Sequence, residues 1–218
     1  MNSENKKVIL IGITAIFLFA FVPMTIAQEV PAHVVISEVY PDPTVSAKGE
    51  FVELYNPTDN DIVLTGCKLE DNDGKSCTLS GTIPCHGFYL VVYNNTEYKI
   101  DNASWPDADN TNLPYYFLAN AGDELRLKDS TEDIIDTVGY GSAAGLCETS
   151  PAPVPDKGKS IERKSLSYGY APCQDTNNNS FDFFVQDTPT PMNSSSQKWI
   201  PHQRQYQCQN TTSSDCSH

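Results

Sequence analysis

The sequence predicts an all-β fold, a sandwich or barrel of antiparallel sheets, and three observations carry the prediction. From residue 33 onward apolar side chains recur with a period of two, the repeat of a strand with one buried face. Polar turn signals separate the apolar runs at near-regular spacing. No segment carries the apolar stripe of an amphipathic helix. Many short strands joined by polar turns bury their apolar faces by stacking or closing antiparallel sheets.

The strand-like runs, in order, are 33–40, 50–56, 61–71, 75–80, 86–93, 123–129, 132–140, 159–164 and 181–186. In 123–129 the alternation is clearest: Leu125 and Leu127 face inward, while Glu124, Arg126 and Lys128 face water. In 61–71, one uninterrupted strand would put Val63, Thr65, Cys67 and Leu69 on one face. Asn72-Asp73-Gly74 and Asp129-Ser130-Thr131 are turn chemistry between strands. Residues 101–122 form a polar excursion around Trp105 and Pro106, and 142–157 a Pro-rich loop. The sandwich domain spans 33–193. Residues 194–218, rich in Ser, Gln and Asn, read as a flexible, cysteine-bearing tail.

The N-terminus sets the expected compartment. Lys6 and Lys7 precede an almost purely apolar run from Val8 to Val22, and Thr25-Ile26-Ala27 supplies a small-residue exit. This is the layout of a secretory signal peptide, cleaved after Ala27. The alternative is an uncleaved membrane anchor, since Val8 to Ala27 is just long enough to span a bilayer. Either way the remainder is expected to be secreted or at the cell surface, with membrane contact only through an uncleaved N-terminal segment.

Charge and cysteines narrow the functional classes. The chain has 14 Lys and Arg against 28 Asp and Glu, a net charge of −14. Residues 1–27 carry +1, so the mature part carries −15. Such a field repels phosphate and argues against a nucleic-acid partner. Lys157, Lys159 and Arg163 align on one strand face, too few to overcome it. All seven cysteines (67, 77, 85, 147, 173, 208 and 216) follow the signal, so disulfides are expected and one cysteine is left over. No close CxxC pair suggests zinc. Cys147 and Cys173 flank the same Pro-rich segment and are the expected pair.

Catalytic motifs are missing. Gly74-Lys75-Ser76 and Gly158-Lys159-Ser160 end like phosphate loops, but Leu69 and Pro153 stand where the first glycine is required. Gly141-Ser142-Ala143-Ala144-Gly145 has the wrong order for a nucleophile elbow. Glu38 and Glu53 on neighbouring strands have the residue type of a general acid/base pair, but read first as hydrogen-bond acceptors that support the fold. Neither a catalytic residue nor an organic cofactor is expected.

The sequence resembles the lamin tail domain family in its secreted bacterial and archaeal form. The resemblance begins with Val35-Ile36-Ser37-Glu38-Val39-Tyr40-Pro41-Asp42-Pro43, Gly49-Glu50-Phe51-Val52-Glu53-Leu54-Tyr55-Asn56-Pro57 and the run from Ile62 to Asp71. It continues through Phe88 to Tyr93, Ala121-Gly122-Asp123-Glu124-Leu125, Asp136-Thr137-Val138-Gly139-Tyr140-Gly141, Gly158 to Arg163 and Asp175 to Phe183. It ends at Thr188-Pro189-Thr190-Pro191-Met192-Asn193, where Thr190 and Pro191 disturb the usual spacing. It implies an immunoglobulin-like antiparallel β-sandwich without a reaction of its own. It also implies contacts with other proteins and, in lamins, with chromatin; the charge keeps the latter from carrying over. Cys67 stands where the family usually has Trp, which implies an added disulfide at a normally aromatic core position.

Candidate sites follow. Asp175, Asn177 and Asn179 stand at positions 1, 3 and 5 of a calcium-loop pattern, which fails at Ser180 and Gln186; calcium is the ion such a pattern would hold. Glycosylation sequons occur at Asn94, Asn102, Asn178, Asn193 and Asn210, with Asn102 and Asn193 expected to be the best exposed. Trp105, Tyr115, Tyr116 and Phe117 form a candidate binding patch, or else close the end of the sandwich. The reading is an exported, non-catalytic binding or structural module whose partner is a protein or a cell-envelope glycan. The rival is an accessory unit of a secreted hydrolase or nuclease system, which predicts a cleft with convergent acids.

Overall fold

The computed structural model describes residues 29–143, 147–166, 171–196 and 214–215. The strands are β1 (Val35–Tyr40), β2 (Phe51–Tyr55), β3 (Ile62–Val63), β4 (Lys68–Asp71), β5 (Ser76–Thr78), β6 (Thr82–Ile83), β7 (Phe88–Val92), β8 (Gly122–Lys128), β9 (Ile134–Gly141), β10 (Ser160–Arg163), β11 (Phe183–Gln186) and β12 (Ser214–Asp215). Two single-turn helices, α1 (Asn95–Tyr98) and α2 (Asn179–Asp182), interrupt them. A five-stranded sheet runs β11-β10-β1-β2-β7, and a four-stranded sheet runs β5-β4-β8-β9. Every neighbouring pair in these two sheets is antiparallel. A small third sheet, β12-β3-β6, includes the parallel pairing of Ser214–Asp215 with Ile62–Val63. The architecture is the expected immunoglobulin-like sandwich.

The main core contains Ile36, Val39, Val52, Leu54, Val91 and Ile161 from the five-stranded sheet. Leu69, Leu125, Leu127, Val138 and Tyr140 come from the four-stranded one. The outer face of the five-stranded sheet is covered as well. At one end Val35, Tyr55 and Phe88 pack with Leu166, Ala171 and Cys173. At the other, Tyr40, Phe51, Leu90 and Val92 pack with Tyr98, Trp105 and Ala108. A strand buried on both faces needs no polar alternation, which is why Phe88-Tyr89-Leu90-Val91-Val92 is apolar throughout.

A buried ion pair joins the sheets. Arg163 on β10 donates two bonds to Asp136 on β9, at 2.9 and 2.7 Å, and both side chains are fully buried. Its Nε donates to Ile36 O and its Nη1 to Gln174 O. Asp136 accepts in addition from Ile36 N at 2.6 Å. The irregularity in β1 between Ile36 and Glu38 lies where this clamp takes hold of the strand. Arg163 therefore does not join Lys157 and Lys159 in a surface cluster, and Lys159 is paired with Asp156 and Asp187.

Four sequence expectations need correction. The run 61–71 is two strands, because Gly66 adopts φ +91 and Cys67 N turns back to donate to Leu64 O at 3.0 Å. Leu64 is consequently buried and Thr65 exposed, so Val63 and Thr65 do not share the face of Cys67. The run 181–186 opens with α2 before β11 begins at Phe183. Glu124 is buried rather than solvated, beside Arg126 in the ion-pair lattice of Glu70, Arg126 and Lys128 on the outer face of the four-stranded sheet. Finally, Cys147 and Cys173 are both free thiols. Cys173 packs as a hydrophobe against Tyr55 and Phe88, and burial pushes its thiol up to about 12. The chain beside Cys147 is held instead to α2, where Asn179 N donates to Glu148 O. Cys67 and Cys85 are the described cysteines in disulfide linkage. The tail cysteines, Asn210 and the N-terminal 27 residues lie outside the described residues.

Candidate functional site

The predicted aromatic patch splits in two. Trp105 packs edge-on to Tyr40 and Phe51 and stacks on Tyr98, with centroids 5.1 Å apart, so it closes the outer face of the sheet. Phe117 is fully buried in the main core. Tyr115 and Tyr116 remain exposed, at 42% and 51%. Their ring centroids lie 3.7 Å apart, and Tyr93 joins them at 6.0 Å from Tyr115. Two aromatic residues between buried anchors, Leu113 and Phe117, have few ways to fold inward.

The loop that presents these rings is firmly held. Phe117 N and Leu118 N donate to Glu50 Oε2 at 2.9 and 3.2 Å. Burial pushes the Glu50 carboxyl up to about 8, while those two N–H groups pull it back down. Lys75 Nζ donates to Tyr116 O at 2.6 Å. Tyr116 itself sits at φ +51, a conformation unfavourable for a bulky residue and kept only where its surroundings impose it. A cation completes the face: Lys48 Nζ lies 5.2 Å from the Tyr115 centroid and 5.9 Å from that of Tyr93. Lys48 also faces Glu97, whose other oxygen accepts from Ser46 Oγ. Hydrogen bonding with Tyr116 pushes the Tyr115 phenol up to about 12, so it stays a neutral donor. The site thus offers ring faces, phenolic hydroxyls, an ammonium and a carboxylate on one exposed surface. The two tyrosines are legible in the sequence; Lys48, before β2, and Tyr93 with Glu97, at the β7–α1 junction, come from two other segments that only the fold brings to them.

The carboxyl pair has a different character. Glu38 and Glu53 are register partners on β1 and β2, each 1% exposed. Glu38 accepts from Ser160 Oγ and Thr190 N; Glu53 accepts from Ser37 Oγ and Met192 N. Burial pushes Glu38 up to about 8, and burial with the neighbouring Glu38 raises Glu53 as well. Segment 190–192 lies over both groups. Their chemistry is closed to any substrate, and they fasten that segment to the sheet.

Asp175, Asn177 and Asn179 are each engaged within the fold, Asp175 Oδ1 accepting from Asn177 N at 3.3 Å. Glu148, Asp175 and Asp182 are the acids brought within 4.8 Å of one another. Asn179 is spent on the fold: its Oδ1 accepts from Gly139 N and Glu148 N, and its Nδ2 donates to Thr137 O and Glu148 Oε2. Asn177 occupies φ +54, and its backbone O accepts from Thr149 Oγ1. Asp182 already accepts from Thr176 N, Thr176 Oγ1, Asn178 N and Gln174 Nε2. Asp175 faces His33 and Arg163 at 3.5 and 3.7 Å. Much of the hydrogen-bonding capacity of Asn179 and Asp182 is thus taken up by donors of the protein itself.

A family model described as the Lamin Tail Domain matches residues 27–142, just over half of the chain. A DUF4876 family protein from Bacteroides thetaiotaomicron VPI-5482, known from its crystal structure, is similar with a TM-score of 0.55 and 12% identity. The alignment covers 73% of this chain and 72% of that one. At that identity the likeness concerns the fold alone. No curated protein matches the chain.

Proposed function

The chain belongs to the lamin tail domain family, and on that premise we propose that it is an exported, non-catalytic binding module of the cell surface. Its contact face is the tyrosine cluster of Tyr93, Tyr115 and Tyr116 with Lys48. The observation that carries this reading is the exposed Tyr115–Tyr116 pair on a loop held by Glu50 and Lys75. Tyrosine supplies large contact area with few rotatable bonds, and a held loop loses little entropy on binding. The partner is an envelope component, protein or glycan; nucleic acid is disfavoured by the charge of −14. An accessory role in hydrolysis would need acids that reach substrate, and the Glu38–Glu53 pair is sealed.

The test is cosedimentation of the purified chain with isolated cell envelopes from which it has been stripped. The double variant Tyr115→Ser/Tyr116→Ser should sediment at least about tenfold less while unfolding at an unchanged temperature, because both rings are exposed. Protease-treated and periodate-treated envelopes assign the partner to protein or glycan. Equal sedimentation of variant and parent would overturn the proposal.

A further inference from the structure

Four sequons lie among the described residues, and the fold treats them unequally. Asn94 is half-buried and caps α1, its Oδ1 accepting from Glu97 N at 2.8 Å. Asn178 is half-buried at the start of α2. Asn193 is half-buried, and its Nδ2 donates to Asp107 O at 2.8 Å. Asn102 is exposed, as are Ala103 and Ser104 beside it.

The turn around Asn102 leaves its amide nitrogen outward. Its Oδ1 accepts from Ser104 N at 3.0 Å and from Ser104 Oγ at 2.6 Å. Trp105 N donates to Asn102 O at 3.2 Å, which closes the turn. Rigid neighbours fix it on both sides. Trp105 is packed among Tyr40, Phe51 and Tyr98. Asp101 accepts from Tyr40 Oη, Thr44 N and Val45 N. Among the described residues the Asn102 Nδ2 has no hydrogen-bond partner.

N-glycosylation consumes one N–H of the amide and leaves the carbonyl oxygen as an acceptor. At Asn102 nothing the fold uses would be lost. At Asn193 the modification would press on the bond to Asp107 O. We propose that Asn102 is a glycan acceptor of the exported protein. The donor is a lipid-linked oligosaccharide: Asn102 Nδ2 attacks the sugar C1, an N–C1 bond forms and the C1–O bond to the lipid phosphate breaks. The lipid phosphate leaves with the bonding pair, and the Nδ2 proton passes to a base of the transferase. This inference rests on export but not on the tyrosine face.

The experiment is mass spectrometry of tryptic peptides from the full chain, purified from its native cells after fractionation. The peptide running from Ile100 to Arg126 contains Asn102 as its one sequon. It is expected to carry a glycan mass that disappears in both Asn102→Gln and Ser104→Ala, with the circular dichroism of either variant unchanged. Recovery of that peptide only in unmodified form from envelope protein overturns the acceptor assignment and leaves export standing. Recovery of the whole chain from the cytosol overturns both.

Discussion

Arg163 shows how much one buried side chain can decide. Removing one member of a fully buried, hydrogen-bonded pair strands the other charge and costs about 3–5 kcal/mol. Asp136→Asn and Arg163→Met are each expected to lose that much in urea unfolding. The double replacement Arg163→Met/Asp136→Leu should recover part of it. The sequence displayed Arg163 as one basic group among several, because alternation along a strand does not reveal that both faces of its sheet are covered. For the same reason Glu38 and Glu53 stood out as an acid pair, while their roofing by Thr190 and Met192 did not. Their burial has a pH signature. The Glu38 carboxyl is held at about 8 against an ordinary 4.5, so the folded chain binds more protons than the unfolded one between those values. The stabilisation is fully present below pH 4.5 and is lost as pH rises through about 8. Glu38→Gln keeps an acceptor for Ser160 Oγ and should flatten this dependence. At pH 8 it should be neutral or stabilising by on the order of 1 kcal/mol. Thermal unfolding from pH 5 to 9 checks the sign, and an unchanged slope would refute the assignment.

At the level of elements, legibility followed periodicity. β8 was readable because Leu125 and Leu127 alternate cleanly with charge, and β1, β2 and β7 because their apolar runs are bounded by turn residues. The run 61–71 misled because its apolar pattern continues across Gly66, and only a left-handed backbone there shows the break. The helices α1 and α2 are single turns, too short to display a helical period. The tyrosine face was half legible: Tyr115 and Tyr116 have the composition of a contact patch, but the same composition sent Trp105 and Phe117 inward. The β8–β9 hairpin depends on a close backbone approach at its base. Gly122 has φ +144, and a Cβ there would collide with the backbone of Tyr140, Gly141 and Ser142. Gly122→Ala should therefore destabilise by at least about 3 kcal/mol, well beyond an ordinary surface change. Denaturant unfolding of that variant, with Ala119→Gly as an exposed control, checks it.

Over the whole molecule the acid excess governs long-range behaviour. Like charges repel in the compact state, and salt screens them within about 8 Å at physiological ionic strength. Added salt is expected to raise the unfolding temperature. Titration with duplex and single-stranded DNA at that ionic strength should show no sub-micromolar binding, and affinity of that order would overturn the electrostatic argument. Connectivity also divides the chain unevenly: β1 is the middle strand of the five-stranded sheet, yet it pairs on one side with β10. Ser160 reaches Glu38 across 122 positions of sequence, and Thr190 reaches it across 152. Such distant partners put a large loop-closure cost early in folding. β1 precedes every other described strand in the chain and is thus among the last to be completed. Every strand of the four-stranded sheet precedes β10 in the chain, but until β10 arrives β1 carries an open edge. A chain stopped after residue 142 would keep that edge permanently and is expected to elute as aggregate in size-exclusion chromatography, whereas the full chain does not.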